Sequence, residues 1–268
     1  MKNIFAVSSN TYHGFTLNEA LAGIAQAGFK YVELNAVRGY TEHVRWEMDD
    51  EAIREVKKAL SKYELEAIAL SAHSNLMRKD GVENFIKSIK LAKRLGCQYI
   101  VTATGEAHGD KDEIEDEQKI IDTLKKIVHK CEENQITLVL ETHGNNYATG
   151  KHMGDLVKKV DSEYIGINYD TGNVIFYGNV KPEKDLEDSI EKVKFMHLKD
   201  KTGENQEWNF PAIGQGEINF TKIFQILKGK NYQGPISVEI EFTPEGPGSL
   251  EYVNKAVKDS YSYLQNFM

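Results

Sequence analysis

Residues 82–103 read VENFIKSIKLAKRLGCQYIVTA and contain one unit of a pattern that runs through the whole chain. The first part carries apolar side chains at helical spacing and charged residues on the opposite face, which predicts an amphipathic helix. The last part, Tyr99–Ala103, is a short β-rich run that predicts a strand. The helical stripe consists of Val82, Phe85, Ile86, Ile89 and Leu95.

Eight such β-rich runs alternate with helical segments from one end of the chain to the other. Strict alternation predicts a parallel sheet, and eight units in about 250 residues match a closed (β/α)₈ TIM barrel better than an open sheet. No linker or change of composition divides the chain, so we predict one domain over residues 1–268. The predicted strands are Asn3–Ser8, Tyr31–Asn35, Glu66–Ser71, Tyr99–Ala103, Thr137–Glu141, Tyr164–Tyr169, Val193–Leu198 and Pro235–Phe242.

Composition and charge exclude several classes of protein. The chain has 268 residues, 40% hydrophobic and 28% charged, as in ordinary globular proteins. Its 33 basic and 41 acidic residues give a net charge of −8, which disfavours a nucleic-acid partner. The two cysteines, Cys97 and Cys131, lie in apolar stretches and are expected to be buried and reduced. The apolar run Ile4–Val7 is too short for a signal peptide, and no run could span a membrane, so we expect a cytoplasmic protein without a membrane partner.

Four polar residues lie at or just beyond the ends of predicted neighbouring strands. Catalytic residues of TIM barrels lie at the carboxyl ends of the strands, and alternation shows which side chains point inward. In the last strand, Val238 and Ile240 form the helix-facing side, so Glu239 points into the barrel. The same rule turns three further polar side chains inward, and the complete set is Glu141, Asp170, His197 and Glu239.

These side chains predict a site for one divalent metal ion. Adjacent strands lie about 4.8 Å apart, which is close enough for the four side chains to share one ion. Unpaired carboxylates in a partly desolvated site are costly, and a divalent cation offsets most of that cost. Three carboxylates and one imidazole favour Mn²⁺ or Mg²⁺ and tolerate Co²⁺ or Zn²⁺.

The sequence around these residues resembles the sugar phosphate isomerase/epimerase family. That family is part of the xylose-isomerase-like barrel superfamily, which includes endonuclease IV, ketose 3-epimerases and inosose dehydratases. The resemblance spans the chain and implies a single metal bound by the four residues above, with Glu141 and Glu239 as acid and base. The runs that carry it are Leu140–His143, Tyr169–Asn173, Met196–Asp200, Ile213–Phe220 and Gly234–Glu239.

Such a site supports enolisation of a hydroxy-ketone. The metal acts as a Lewis acid for the developing enediolate, while one glutamate removes a proton beside the carbonyl and the other returns it. Return to the same carbon gives epimerisation, and return to the neighbouring carbon gives isomerisation. The sequence favours this function for a sugar, a sugar phosphate or a sugar derivative. The alternatives are an inosose-type dehydratase, a non-catalytic sugar-binding barrel and an endonuclease IV-like nuclease.

The chain departs from its relatives at several positions. Asn173 stands where many relatives carry a histidine, and it cannot shuttle a proton. No arginine follows His197 as it does in the free-ketose epimerases, so Lys199 or Lys201 is the available cation. Thr104 stands where endonuclease IV has a further histidine ligand, which argues against a trinuclear zinc site.

Further residues around the barrel mouth are expected to bind substrate. Aromatic rings can stack on the C–H faces of sugars, and polar groups can fix the orientation of the ligand. The glycines of Gly214–Gly216 and Gly246–Gly248 leave a phosphorylated substrate open, because glycine-rich loops before helices bind phosphate. The resemblance also leaves a homo-oligomer open. The expected substrate-binding residues are His13, His73, His108, His143, Asn173, Lys199, Trp208 and Phe210, and Trp46 is also expected to line the pocket.

Overall fold

The computed structural model describes residues 3–105 and 116–268. In this part of the chain eight parallel strands form one closed barrel in the order of the sequence, which confirms the predicted (β/α)₈ fold. The strands are β1 Phe5–Ser8, β2 Tyr31–Asn35, β3 Glu66–Ser71, β4 Tyr99–Thr102, β5 Thr137–Glu141, β6 Ile165–Asp170, β7 Val193–Leu198 and β8 Ile236–Val238.

Helices cover the outside of the barrel. The longer helices contribute buried apolar stripes, and the stripe of the fourth helix runs from Ile120 to Cys131, as its spacing predicts. The helices are α1 Leu17–Ala27, α2 Asp50–Lys62, α3 Lys79–Leu95, α4 Glu117–Asn134, α5 Gly150–Val160, α6 Asn173–Phe176, α7 Pro182–Ser189, α8 Phe220–Gly229 and α9 Leu250–Leu264.

Local signals explain where α1 begins and ends. The Thr16 side chain accepts a hydrogen bond from the Glu19 backbone N–H, and the Glu19 carboxylate accepts one from the Thr16 N–H. This reciprocal pair satisfies two backbone donors that the first turn of a helix leaves unpaired. The helix ends at Gly28, whose φ of +114° is readily adopted only by glycine.

The barrel interior has an apolar layer below a polar one. Val139 and Phe195 belong to the apolar layer, together with Ala6, Ile68, Ala69 and Val101. Because side chains alternate along a strand, the residues two positions further on, Glu141 and His197, enter the polar layer above. Register supports this convergence, since Asp170 on β6 pairs with His197 on β7.

Apart from shifts of one or two residues at the ends of strands, the structure differs from the predicted elements in two places. The last strand ends at Val238 rather than at Phe242, because the chain leaves the sheet and Phe242 adopts a left-handed φ of +58°. Two helices, α6 and α7, follow β6 where the sequence pattern predicts one. Neither difference moves the four predicted metal ligands from the carboxyl end of the barrel.

Two smaller sequence features can be checked in the described residues. Cys97 and Cys131 are free thiols and buried, as predicted. Within residues 3–105 and 116–268, no helix combines the length and the apolar character needed to cross a bilayer.

Candidate metal centre

Glu141, Asp170, His197 and Glu239 lie together at the carboxyl end of the barrel. Each offers one ligand atom, and these four atoms lie within 4.8 Å of one another. All four residues are buried. The strand ends therefore bring together the group of side chains that the alternation pattern predicts.

His197 is held from behind by Glu33, a fully buried carboxylate on β2. The Nε2 atom of His197 lies 2.9 Å from Glu33 Oε2 and 3.1 Å from Oε1. The other ring nitrogen, Nδ1, faces the cluster, 3.1 Å from Glu141 Oε1 and 3.4 Å from Glu239 Oε2. Burial lowers the pKa of His197, but the carboxylates of Glu33 and Glu239 outweigh burial and raise it well above its usual value. A carboxylate behind an imidazole is a common arrangement in metal sites, where it orients the ring.

Asp170 presents one oxygen to the backbone and the other to the cluster. Its Oδ1 accepts hydrogen bonds from the N–H groups of Gly172 and Asn173, both at 2.8 Å. Its Oδ2 is buried and accepts no hydrogen bond from the described residues, although Lys199 Nζ lies 3.1 Å away. This oxygen is therefore fixed in position and available as a ligand.

Lys199 places its ammonium group among the carboxylates. Its Nζ atom lies 2.9 Å from both Glu239 Oε2 and Glu241 Oε2. Burial lowers the pKa of Lys199, but attraction from Asp170, Glu239 and Glu241 raises it well above its usual value. The lysine is therefore a permanent positive charge in this site.

Glu241 is a further acid next to the four predicted ligands. Burial raises its pKa to about 7, even though Lys199 acts in the opposite direction. Asn10 links it to its neighbour, because the Asn10 Nδ2 group donates to Glu239 Oε1 at 3.1 Å and to Glu241 Oε1 at 3.3 Å. Glu241 thus couples the cluster to the outer part of the barrel mouth.

Glu141 is surrounded by nitrogen groups on its other side. His73 Nε2 lies 2.9 Å from Glu141 Oε2, and the Asn173 Nδ2 group donates to Glu141 Oε1 at 3.2 Å. His143 packs edge-on against His73 with ring centres 5.9 Å apart, and it also contacts Tyr177. These side chains line an inner chamber together with Asn35, Ser71, Lys199, Trp208, Glu239 and Glu241.

The other predicted substrate-binding residues lie further out. His13 is exposed and lines a second, outer pocket, whereas Trp208 lines both pockets. Phe210 is fully buried behind Trp208, with ring centres 5.1 Å apart. Trp46 packs between Arg38 and Lys87, on a different part of the surface. His108 falls in residues 106–115, outside the described part of the chain.

The loop Gly214–Gly216 binds an anion, but that anion is the protein's own Asp200. The N–H groups of Gly214 and Gly216 donate to Asp200 Oδ2 at 2.9 and 2.8 Å. The N–H of Ile218 donates to Asp200 Oδ1 at 3.3 Å. The amides at this loop are therefore satisfied by the chain, which removes one of the two places where the sequence leaves a phosphate open.

Sequence reasoning missed several members of the polar layer. Glu33 interrupts the apolar run of β2, and alternation places it on the same face as Tyr31 and Asn35, so its inward direction could have been found. Asn10 lies in a 3₁₀ turn after β1, for which the sequence carries no comparable signal. Glu241 belongs to the inward face of the last predicted strand but was not selected as a site residue.

The residues present fit a divalent cation. Glu33, Glu141, Asp170, Glu239 and Glu241 supply five carboxylates, against one lysine and the imidazoles of His73 and His197. Negative charge is in excess even if both imidazoles and Glu241 are protonated. A buried excess of this kind is costly unless a cation offsets it, and oxygen-rich ligands with one imidazole suit a hard or borderline ion.

Solved structures with the same fold include an epimerase and a probable dehydratase. One is the D-allulose 3-epimerase from Methylomonas sp. in complex with D-allulose, with a TM-score of 0.77 and 18% identity over 99% of this chain and 97% of that one. Another is the probable 3-DHS dehydratase involved in petrobactin synthesis from Bacillus anthracis, with a TM-score of 0.76 and 16% identity over 98% of both chains. At these identities the likeness establishes the fold.

Curated relatives and a family model cover most of the sequence. The inosose dehydratase of Clostridium beijerinckii is 26% identical over 91% of this chain and 88% of its own length. The inosose dehydratase of Bacillus cereus is 27% identical over 76% of this chain and 78% of its own. The model of the xylose isomerase-like TIM barrel family matches residues 21–265. With the closed barrel and the acidic cluster at its mouth, this match shows that the chain belongs to the xylose isomerase-like TIM barrel family.

Proposed function

We propose that this chain is a divalent-metal-dependent isomerase or epimerase that acts on a sugar or a sugar derivative with a ketone next to a hydroxyl-bearing carbon. The observation that carries the proposal is the position of Glu141 and Glu239 in one buried cluster with Asp170 and His197. Two carboxylates that reach the same small volume from β5 and from the end of β8 can act on one substrate carbon or on two neighbouring ones.

Both glutamates are in the ionised form that a general base requires. Burial raises the pKa of Glu141, but hydrogen bonds with His197 and His73 lower it well below its usual value. Burial also raises the pKa of Glu239, and attraction from Lys199 and His197 outweighs it, so the net pKa is lowered. Each side chain is therefore ionised at neutral pH and able to accept a proton. A glutamate that has taken the proton can return it to the neighbouring carbon, which completes an isomerisation. Return of a proton to the opposite face requires that the opposing glutamate enters the cycle protonated, with a proton taken from water.

We assign the ion to Glu141, Asp170, His197 and Glu239, and Mn²⁺ or Mg²⁺ is favoured over Co²⁺ or Zn²⁺. A bound divalent cation would supply Lewis-acid stabilisation of the negative charge that develops on the carbonyl oxygen. Lys199 lines the inner chamber, which has about 20 Å³ of free space. We expect its ammonium group to leave Asp170 and Glu239 and to keep its contact with Glu241 when a cation and a substrate enter.

A dehydratase of the inosose type is the second candidate. The named sequence relatives favour it, because the inosose dehydratase of Clostridium beijerinckii matches 91% of the length of this chain. Dehydration shares the first step, proton removal beside the carbonyl, but then needs an acid for the departing hydroxyl. His73, which lies 2.9 Å from Glu141, and His143 next to it are the groups suited to this role.

One experiment separates these functions. Protein loaded with Mn²⁺ is incubated in deuterated water with a panel of ketoses and polyol ketones, and label and products are followed by NMR. Deuterium at a carbon next to the carbonyl, with epimerised or isomerised product, supports the leading proposal. Loss of water from a polyol ketone supports the dehydratase. Absence of exchange over the whole panel contradicts both and favours a barrel that only binds sugars.

A further inference from the structure

The barrel mouth contains a second pocket that adjoins the inner chamber. Its free volume is about 410 Å³, within the range that accommodates small organic ligands. It shares four lining residues with the chamber, so a single ligand could occupy both spaces. The shared residues are Asn10, Tyr40, Trp208 and Glu241, and the outer pocket continues past them to Thr11, His13, Ile240, Phe242, Thr243, Pro244, Gly246 and Pro247.

The walls of the outer pocket are mainly apolar and aromatic. His13 stacks on Tyr40 with ring centres 4.4 Å apart. Trp208 is held edge-on by Phe176 and Phe210, whose ring centres lie 5.5 and 5.1 Å from its own. Rings fixed by other rings provide a rigid surface for a flat ligand, because little conformational entropy is lost when the ligand packs against them.

Several polar groups of the outer pocket are already engaged within the protein. Thr11 Oγ1 accepts the N–H of Ile240 at 3.0 Å, and the Thr243 hydroxyl donates to Glu245 at 2.6 Å. Thr41 Oγ1 donates its proton to Asn10 Oδ1 at 2.6 Å. His13 Nδ1 lies 2.8 Å from Thr41 Oγ1, so His13 is the donor to the threonine oxygen. A ligand with many hydroxyl groups would therefore find few free partners here.

Charge argues against a phosphate in this pocket. Among the described residues that line it there is no lysine or arginine, and Glu241 contributes a carboxylate. The N–H of Gly246, which lines the pocket, already donates to the Thr243 carbonyl oxygen at 2.8 Å. An uncharged, apolar group fits these surroundings better than an anion does.

Phe242, which lines the outer pocket, has a strained backbone conformation. Its φ of +58° is a conformation that side chains with a Cβ rarely adopt. Two backbone hydrogen bonds with Phe210 hold it there. The Phe210 N–H donates to the Phe242 carbonyl oxygen at 2.7 Å, and the Phe242 N–H donates to the Phe210 carbonyl oxygen at 2.9 Å. Strain of this kind costs about 1–3 kcal/mol and is found more often at ligand sites than elsewhere.

We propose that the outer pocket binds the aromatic aglycone of a glycoside whose sugar ring carries a ketone and enters the inner chamber. The inference rests on the proposed function, since it takes the acidic cluster as the place where the ketone reacts and expects Lys199 to move when the sugar ring enters. It narrows the substrate class from ketone-bearing sugars in general to uncharged keto-glycosides with an apolar ring beyond the glycosidic bond. Continuity of the two spaces, the apolar lining and the absence of a cationic partner all favour this occupant.

The test measures binding by the Mn²⁺-loaded protein and does not require turnover, so glycosides without a ketone serve as unreactive probes of the aglycone site. Matched phenyl and methyl glycosides of glucose, galactose and xylose are titrated by ligand-observed NMR, with cellobiose as a ligand whose second ring is a sugar. We expect at least one phenyl glycoside to bind about tenfold more tightly than its methyl partner, a difference of about 1.4 kcal/mol. The Trp208→Ala variant should lose this advantage, and the Trp46→Phe variant, changed at the other tryptophan, should keep it.

His13→Ala provides a second variant, because His13 is exposed and its removal leaves the core intact. It should also reduce the phenyl advantage. Equal affinity of phenyl and methyl partners, an advantage that survives in both variants, or equal binding of cellobiose and phenyl glucoside overturns the proposal, as does the absence of binding by every ligand. The outcome is independent of the proposed chemistry, since a phenyl advantage without deuterium exchange in any ketone retains the pocket and rejects the enolisation.

Discussion

Replacing Lys199 by methionine tests the electrostatics of the candidate metal centre. The substitution keeps a long side chain of similar shape and removes the positive charge. Lys199 is 2% exposed, and its ammonium lies 2.9–3.1 Å from Asp170, Glu239 and Glu241. Without this charge, three carboxylates near one another lose their common partner.

The magnitude follows from distance and burial. Two unit charges 3 Å apart attract by about 5 kcal/mol at an effective dielectric constant of 20, and the cost of burying the lysine offsets part of that attraction. Loss of one partner from a buried ion pair commonly destabilises a protein by about 3–5 kcal/mol. We expect a loss near the lower end, about 3 kcal/mol, because Glu241 can take up a proton when the lysine is gone.

Urea denaturation of metal-free protein at pH 8 measures this effect. The control is Lys151→Met, at an exposed position on α5, and its free energy of unfolding should stay within about 0.5 kcal/mol of the wild type. Saturating Mn²⁺ should then stabilise Lys199→Met more than it stabilises the wild type, because the dication supplies the charge that the variant lacks. The reasoning is refuted if metal-free Lys199→Met is as stable as the wild type, or if Mn²⁺ stabilises both proteins equally.

Three further predictions concern individual acids of the site. Glu141→Gln should lose stoichiometric Mn²⁺ on dialysis and stop deuterium exchange, as measured by elemental analysis and NMR; retention of one equivalent of metal would reject Glu141 as a ligand. Glu33→Gln should weaken Mn²⁺ binding about 10–100-fold in calorimetry, because His197 loses the charged partner that orients it, while Glu66→Gln, an exposed control on β3, should not. Burial raises the pKa of Glu241 to about 7, so its carboxyl keeps a proton in the folded state that the unfolded chain releases near pH 4.5. The contribution of Glu241 to the free energy of unfolding should therefore fall by about 3 kcal/mol as the pH rises from 4.5 to 7. Metal-free Glu241→Gln should lack this pH-dependent loss when the free energy of unfolding is measured by urea denaturation. The same pH dependence in the variant and the wild type would contradict the prediction.

Much of the barrel could be predicted because the alternation of side chains along each strand shows which of them point into the barrel. Val139 and Phe195 face the apolar layer, and the residues two positions later, Glu141 and His197, face the polar layer. The period of two applies wherever one face of a strand is buried, so it predicts which side chains converge without any knowledge of the loops.

The outer part of the site depends on backbone geometry that a hydrophobic pattern does not encode. Apolar residues continue to alternate through Phe242, so the pattern extends the last strand by four residues beyond its observed end at Val238. The left-handed turn at Phe242 is stabilised by hydrogen bonds to Phe210, which is far away in sequence. The position of Asn10 likewise follows from the packing of a 3₁₀ turn. Glu239 and Glu241 accept hydrogen bonds from the Asn10 side-chain amide there.

The carboxylate of Asp200 has a consequence for the loop from Gly214 to Ile218. It accepts the N–H groups of Gly214, Gly216 and Ile218 in the folded chain. The conformation of this loop therefore does not depend on a bound ligand. Truncation of Asp200 would free these three N–H groups, which converge on the position of its carboxylate. An oxyanion from solution could then bind there in place of the side chain.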